Sequence, residues 1–167
     1  VGLHVRHGDS CMHAVMSTFR PECAPVETYM ERVREMGQRY GARAVFLATD
    51  DPNALEIAQR EAGGMRIMSL EFDRAALSGD WFLEFRTQEG DRGAEAGEVA
   101  RSATLDVMLL SECDYFVGTF ASHLSRLAYE RMAARLGYHP PYSSVDYPWC
   151  HHPLQKREVP GFGVVNC

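Results

Sequence analysis

Apolar segments alternate with amphipathic segments along most of this chain, and this alternation constrains its fold more than any other feature. Apolar runs predict strands at residues 1–6, 44–49, 65–70 and 115–120. Segments with an apolar residue at every third or fourth position predict helices at 25–41, 52–62, 98–112 and 122–136. Strands that alternate with helices are typical of parallel βαβ units. We therefore expect an α/β fold, with a Rossmann-like parallel sheet in a three-layer sandwich.

The chain of 167 residues is long enough for one ordinary domain with one core. Residues 1–137 are predicted to form that domain. Residues 138–167 are rich in Pro, Gly and aromatic side chains, and we expect an irregular tail that packs on the domain. Residues 71–97 are predicted to form a long surface loop with room for a short helical piece. The chain starts without Met and almost inside a strand, so we expect it to be part of a longer protein.

Charge and hydropathy exclude several classes of function. The formal net charge is −6, which implies no surface for a polyanion, so we expect no nucleic-acid partner. No apolar run approaches the roughly 18 residues that a membrane span needs, and no signal peptide is visible. The cysteines contain no CxxC pair and fit no zinc template. Cys11 and Cys23 flank one loop and are able to pair in an oxidising compartment, but pairings that involve Cys150 or Cys167 stay open.

The first predicted strand ends in the polar sequence that carries His4, Arg6, Asp9 and Ser10. His4 and Arg6 lie two residues apart and therefore share a face of the strand. They lie near its carboxyl end, where open parallel sheets bind their ligands. The planar guanidinium of Arg6 matches phosphate oxygens. A structural ion pair beside a core histidine explains the same residues equally well.

Polar residues also follow the second and fourth predicted strands. Asp50 and Asp51 come directly after the second, where a helix cap is favoured over a metal-binding pair. Thr119 and Ser122 precede the last predicted helix, whose free N–H groups form an anion site, and Arg126 lies one turn beyond Ser122. If the sheet is parallel, these groups converge with Arg6 on a site for a diphosphate that needs no metal.

Asp106 stands within an apolar helical segment, which is unusual for an unpaired acid. It is expected either to face solvent or to serve a buried partner such as a ligand base. The chain contains no Walker A sequence and no GxGxxG sequence, and residues 118–122 do not match a serine-hydrolase elbow.

Three blocks of sequence together resemble the α1,6-fucosyltransferases and the related protein O-fucosyltransferases. Residues 1–9 resemble their HxRR-x-D motif, and residues 46–52 resemble their second block. The third block is formed by residues 105–106, 110–122 and 126–130. The resemblance extends over residues 1–136 in the same order and with similar spacing.

The resemblance implies one half of a GT-B glycosyltransferase, in which transfer inverts the sugar and needs no metal or other cofactor. GDP-fucose would be the donor, and a glycan or glycoprotein would be the acceptor. An N-terminal half of the same chain would complete the enzyme. The resemblance also implies the Golgi or the ER lumen, reached through an anchor upstream of this sequence.

The resemblance also assigns roles to individual residues. His4 and Asp106 would contact guanine, Arg6 would hold the β-phosphate, and Ser122 would bind the diphosphate. Asp51 would organise the loop that carries the arginine, and Asp9 matches the loop aspartate of the family. The full set of predicted site residues comprises Arg6 and Asp9 as catalytic residues and His4, Arg6, Asp51, Asp106, Thr119, Ser122 and Arg126 as donor-binding residues.

The chain departs from the family motif at two positions. His7 stands where the family has its second arginine, and Ser10 stands where it has a lysine. No carboxylate follows at the position of the family's general base, and Glu22 is the nearest later candidate. A non-catalytic domain that binds a nucleotide sugar therefore stays an alternative. A structural α/β module, in which the strand-end residues only cap helices, is the third.

Overall fold

The computed structural model describes residues 1–12, 22–77, 96–149, 156–159 and 163–166. Its elements in chain order are β1 (Gly2–Val5), α1 (Gly8–Met12), α2 (Val26–Tyr40), β2 (Ala44–Thr49), α3 (Ala54–Arg60), β3 (Arg66–Met68), a 3₁₀ helix (Arg74–Leu77), α4 (Ala96–Ser111), β4 (Phe116–Gly118), α5 (His123–Leu136), β5 (Tyr142–Ser144), β6 (Lys156–Val159) and β7 (Gly163–Asn166).

The main sheet has the strand order β3-β2-β1-β4-β5, and all neighbouring strands run parallel. In its centre, Leu3 of β1 lies opposite Leu47 of β2 on one side and Val117 of β4 on the other. The strands β6 and β7 form a separate antiparallel pair. The predicted parallel sheet is therefore confirmed.

Helices cover both faces of this sheet. On one face, Leu3, Val45 and Leu47 are buried in a cluster with apolar residues of α2 and α3. On the other face, Ala48 and Phe116 are buried in a cluster with residues of α4 and α5. Because successive residues of a strand point to opposite faces, an almost continuous apolar run supplies both clusters at once. The expected three-layer α/β architecture is thus confirmed.

Two expectations about irregular segments are wrong. The loop expected after β1 begins with the short helix α1, and the tail expected to be irregular contains β5, β6 and β7. The strand β5 pairs with β4 at the edge of the main sheet, so the sheet continues past residue 137. Its side chains are only partly buried, so no apolar run announces it, and backbone pairing with β4 defines it.

The segment at 71–97 is only partly described. The expected short helical piece is present as the 3₁₀ helix, and α4 begins at Ala96. Arg74 is buried there, and its guanidinium donates to the carbonyl oxygens of Thr49, Phe72 and Leu70 at 3.0, 3.3 and 2.9 Å. Residues 78–95 lie outside the described residues. Within the described part of the chain, no helix is long and apolar enough to cross a membrane.

Candidate nucleotide-sugar site

A cavity of about 370 Å³ opens at the carboxyl ends of β1, β2 and β4. The chain leaves β1 toward β2 on one side, whereas β4 leads to β5 on the other. Open α/β sheets bind ligands at such a reversal of strand order, because the loops diverge there and leave a crevice. Residues of α2, α4, α5 and the segment after β5 complete the wall.

Arg6 follows β1 and lines this cavity. Its Nη2 donates to Oδ1 of Asp9 at 2.5 Å, and its Nη1 pairs with Oδ2 of Asp50. Its side chain is 25% exposed, whereas that of Asp9 is only 2% exposed. A structural ion pair and an anion site are therefore compatible interpretations of Arg6. Its guanidinium pairs with Asp9 and Asp50 and still forms part of the cavity wall.

Asp50 and Asp51 bind backbone N–H groups at the starts of different segments. Oδ1 of Asp50 accepts from the backbone N–H groups of His7 and Gly8 at 2.8 and 3.0 Å, at the start of α1. Oδ1 of Asp51 accepts from the N–H of Asn53 at 2.8 Å, just before α3. The expected cap of α3 is not found in this form, because the N-cap residue of α3 is Asn53, Asp51 binds the N–H of that residue, and Asp50 binds the start of α1 instead. The direct partner of Arg6 is Asp50, whereas Asp51 reaches the arginine loop through the ring of His7 at 3.0 Å.

His4 is buried in the wall of the cavity, on the sheet face that α5 covers. Its Nδ1 forms a hydrogen bond with Oγ of Ser125 at 2.6 Å. Burial, with a smaller contribution from the neighbouring Arg6, lowers the pKa of His4 to about 3. The imidazole is therefore neutral near pH 7 and is suited to read a base rather than to hold a phosphate.

Asp106 of α4 lines the same cavity and is 8% exposed. Its Oδ1 is buried and has no hydrogen-bond partner among the described residues. Burial raises the pKa of Asp106 to about 7, against the opposing charge of Arg74. An unsatisfied buried polar group costs about 1–3 kcal/mol, so it indicates a ligand whose donors would complete the pairing.

Asp146 organises the turn that leads into α5. Its carboxylate accepts from the hydroxyl of Thr119 and from the N–H groups of Phe120 and Ala121 at 2.8 and 2.9 Å. Ser144 donates its hydroxyl to the same carboxylate at 2.6 Å. The hydroxyl of Thr119 is therefore already engaged, although the residue lines the cavity as expected.

The first turn of α5 has backbone N–H groups that are able to donate to a ligand. Ser122 is the N-cap residue and makes no side-chain capping bond. The N–H groups of residues 123–125 have no partner within the part of the chain that the structure describes, and the first helical bond runs from Arg126 to Ser122. Ser122, His123 and Leu124 line the cavity. The predicted anion site at this helix start is therefore open toward the crevice.

The structure brings five predicted residues into the wall: His4, Arg6, Asp106, Thr119 and Ser122. Asp9, Asp51 and Arg126 are absent from the lining. Arg126 donates its Nε to the carbonyl of Phe120 at 2.6 Å and so braces the turn before α5. A contact between Arg126 and a donor stays a prediction.

A disulfide closes the loop between α1 and α2. Cys11 and Cys23 are bonded, with their Cα atoms 5.8 Å apart, so the pairing that the sequence left open is present. Glu22, Cys23 and Ala24 line the cavity beside it. Residues 13–21, Cys150 and Cys167 lie outside the described residues.

Sequence reasoning missed three residues of the site. Asp50 was expected at the strand ends but not as the partner of Arg6, Asp146 fell in the predicted irregular tail, and Tyr29 lay on the apolar face of the helix predicted at 25–41. Tyr29 is buried but also lines the cavity, and burial together with Asp146 raises its pKa above the usual range. A polar residue after an alternating segment such as Tyr142–Ser144 was the available signal for Asp146.

Comparisons with known proteins give a family match for most of the chain. Residues 1–146 match the family described as "Alpha-(1,6)-fucosyltransferase N- and catalytic domains". An alpha-(1,6)-fucosyltransferase of Drosophila melanogaster is 30% identical over 138 residues, which are 79% of this chain and 19% of the fly protein.

Crystal structures of POFUT1 share the fold. The complex with GDP-fucose gives a TM-score of 0.53 at 12% identity, over 86% of this chain and 40% of the POFUT1 chain. A complex with GDP gives a TM-score of 0.55 at 12% identity, over 87% of this chain and 42% of that one.

The family match includes β1, the two aspartates after β2, α4, the turn before α5 and β5, which together build the cavity. The chain spans only 19% of the length of its fly relative. On the extent of the family match, the chain belongs to the alpha-(1,6)-fucosyltransferase N- and catalytic domain family.

Proposed function

We propose that this chain is the donor-binding half of a fucosyltransferase that takes GDP-fucose and transfers fucose to a glycan or glycoprotein. The buried carboxylate of Asp106, whose Oδ1 has no hydrogen-bond partner among the described residues, carries the proposal. Guanine presents its ring N1–H beside its exocyclic amino group, and a carboxylate can accept from both. His4, neutral and buried in the same wall, supports selection of the base.

The diphosphate would lie between Arg6 and the start of α5. The guanidinium offers charge-assisted bonds, and the N–H groups of residues 123–125 and the hydroxyl of Ser122 add further donors. Positive potential from the helix start and from Arg6 would stabilise the departing GDP. We propose on this ground that transfer needs no divalent metal.

In the proposed transfer, an acceptor hydroxyl oxygen attacks the anomeric carbon of fucose. The bond from that carbon to the β-phosphate oxygen breaks, and its electron pair leaves with GDP. A single displacement of this kind inverts the configuration at the anomeric carbon. The hydroxyl proton needs a base on the acceptor side. Glu22 lines the cavity, so we assign it this role.

The chain would work within a longer GT-B enzyme. It covers 40% and 42% of the two POFUT1 chains, which supports the assignment as one part of a larger enzyme. We propose that an N-terminal half supplies most acceptor contacts. The Cys11–Cys23 disulfide supports a location in the secretory pathway, such as the Golgi or the ER lumen.

The test is GDP titration of the full-length protein by calorimetry. Arg6→Ala should weaken binding by about tenfold to a hundredfold, since bonds to charged groups contribute about 1.5–3 kcal/mol. Arg6→Lys should recover only part of the loss, because lysine lacks the planar fork. The matched control is Arg32→Ala, at an exposed residue of α2 that pairs with Glu35. Unchanged affinity in Arg6→Ala would refute the phosphate contact.

One observation favours a second candidate, a non-catalytic domain that binds a nucleotide sugar. Arg6 is held by two carboxylates, and Ser10 lines the cavity at the position where the resembled family has a lysine. The site therefore has little cationic charge left for a transition state. Full-length protein that binds GDP-fucose but releases no GDP with any glycan acceptor would favour this candidate.

A further inference from the structure

The ring of His7 lies between two oxygen atoms behind the wall of the cavity. Its Nδ1 is 3.0 Å from Oδ2 of Asp51, and its Nε2 is 2.7 Å from the carbonyl oxygen of Ala24. Its edge also packs against the ring of Tyr29, with centroids 5.9 Å apart. The side chain of His7 is 17% exposed, so both hydrogen bonds are largely shielded from solvent.

These two partners determine the protonation of the ring. A backbone carbonyl only accepts, so Nε2 must carry a proton. A carboxylate oxygen likewise accepts, so a proton on Nδ1 completes the bond to Oδ2 of Asp51, whose other oxygen accepts from the N–H of Asn53. An imidazole that donates from both nitrogens is an imidazolium.

We propose that His7 is a positioning residue that works as an imidazolium and joins the two sides of the site. Its backbone N–H binds Asp50, the partner of Arg6, while its ring binds Ala24, next to Cys23 and Glu22 in the wall. Loss of the ring proton would remove one hydrogen bond and turn a lone pair toward Asp51. The bond from Nε2 to Ala24 would remain, but the ring would no longer join the 22–24 segment to Asp51.

The charged groups around His7 come from every neighbouring segment. Asp50 and Asp51 follow β2, Arg6 follows β1, Asp9 belongs to α1, and Glu22 precedes α2. Tyr29 of α2 is the titratable group against the ring edge. Arg6 is neutralised by Asp9 and Asp50, which leaves Asp51 as the direct counter-charge for the ring.

The first experiment observes the ring itself and does not depend on the proposed function. Ring-nitrogen NMR spectra of full-length protein labelled in histidine are recorded at pH 5.5 to 8, and His7→Gln assigns the signals. We expect both ring nitrogens of His7 to carry protons at pH 5.5, because each of them faces an oxygen atom that accepts. A neutral ring at pH 5.5 would overturn the proposal.

The second experiment rests on the proposed function and measures the Kd for GDP over the same pH range. The quantity compared is the Kd of wild type divided by the Kd of His7→Arg, a variant that keeps a permanent positive charge. Both proteins contain Asp106, so the effect of its titration on the Kd cancels in this ratio. We expect this ratio to rise by about threefold to tenfold from pH 5.5 to 8, the effect of losing one hydrogen bond from the ring to Asp51. His7→Gln should bind weakly at both pH values.

The control is His139→Gln, at an exposed histidine outside the cavity, which should keep the wild-type profile. A ratio that stays constant with pH, while wild type binds GDP, would overturn the role of His7 and leave the proposed function intact. Absence of GDP binding in wild type would instead refute the proposed function, and the NMR result would still decide whether the ring is an imidazolium.

Discussion

At the scale of single residues, Asp106 shows how a binding site weakens the free protein. Its carboxyl ordinarily titrates at 3.8, and burial raises its pKa to about 7 in the folded chain. Between these values the folded state holds a proton that the unfolded state has lost. The free energy of unfolding therefore falls as the pH rises through this range and stays lower above it. A ligand that donates to the carboxylate would remove this cost.

Asp106→Asn is therefore expected to stabilise the ligand-free protein at pH 8 by about 1–3 kcal/mol, the cost of a buried unsatisfied group. The difference from wild type should shrink toward pH 5, where the folded wild-type carboxyl is already protonated. Chemical denaturation at both pH values measures it. A variant that is less stable than wild type at pH 8 would contradict the assignment.

The same substitution should weaken GDP binding. Wild-type affinity should increase as the pH rises through about 7, because only the ionised carboxylate of Asp106 accepts from two donors. Asp106→Asn should lose this dependence along with roughly tenfold or more of affinity. Calorimetry at pH 6 and 8 gives both quantities, and an unchanged slope with pH would show that another group is responsible.

At the scale of elements, the site depends on how β5 anchors the start of α5. Asp146 follows β5 and accepts two backbone N–H groups from the turn at 119–122, while Arg126 braces the same turn from inside the helix. The edge strand thereby positions the helix that offers its N–H groups to the diphosphate. This is a long-range contact between segments whose own sequences give weak signals.

Asp146→Ala is expected to lower the free energy of unfolding by about 1–3 kcal/mol, because buried donors lose their acceptor. GDP affinity should fall with it, as the turn moves. Asp146→Asn keeps one acceptor oxygen, so its stability and its GDP affinity should lie between those of wild type and of Asp146→Ala. Denaturation and titration of both variants test this, with Asp114→Ala at an exposed aspartate as the matched control. If Asp146→Ala bound GDP as tightly as wild type, the turn at 119–122 would not contribute to GDP binding.

At the scale of the whole molecule, the parallel sheet collects polar strand ends into one crevice, and the disulfide ties the 22–24 segment to α1 beside it. The disulfide and the hydrogen bond between the His7 ring and the carbonyl oxygen of Ala24 both hold this segment. Closing a short loop stabilises a protein mainly by limiting the unfolded chain.

Replacement of Cys11 and Cys23 by serine should destabilise the full-length protein by roughly 2–3 kcal/mol. Thermal unfolding should then shift downward by on the order of 5–10 °C. Dithiothreitol should lower the melting temperature of wild type to a similar extent and should leave the double variant unchanged. A melting temperature that does not respond to either treatment would show that the disulfide contributes no stability.

The three-layer fold, the strand ends that carry His4, Arg6 and Ser122, and the buried acid Asp106 all followed from the sequence. They follow because apolar periodicity and strand-end polarity are local patterns, and a parallel sheet leaves little choice about where its carboxyl ends meet. The strand β2 and the helix α2 were placed almost to the residue, since their apolar patterns are long and regular.

Only the tertiary structure decided which polar groups bind one another. The choice of Asp50 over Asp51 as the partner of Arg6, the anchoring of α5 by Asp146 and the two oxygen partners of His7 join segments that are distant in the chain. The edge strand β5 likewise depends on backbone bonds to β4 rather than on apolar side chains. Hydrogen bonds of this kind leave no periodic signal, because their energy depends on the geometry of both partners. The sequence alone therefore predicted where the site is, and the packed structure determined how it is held together.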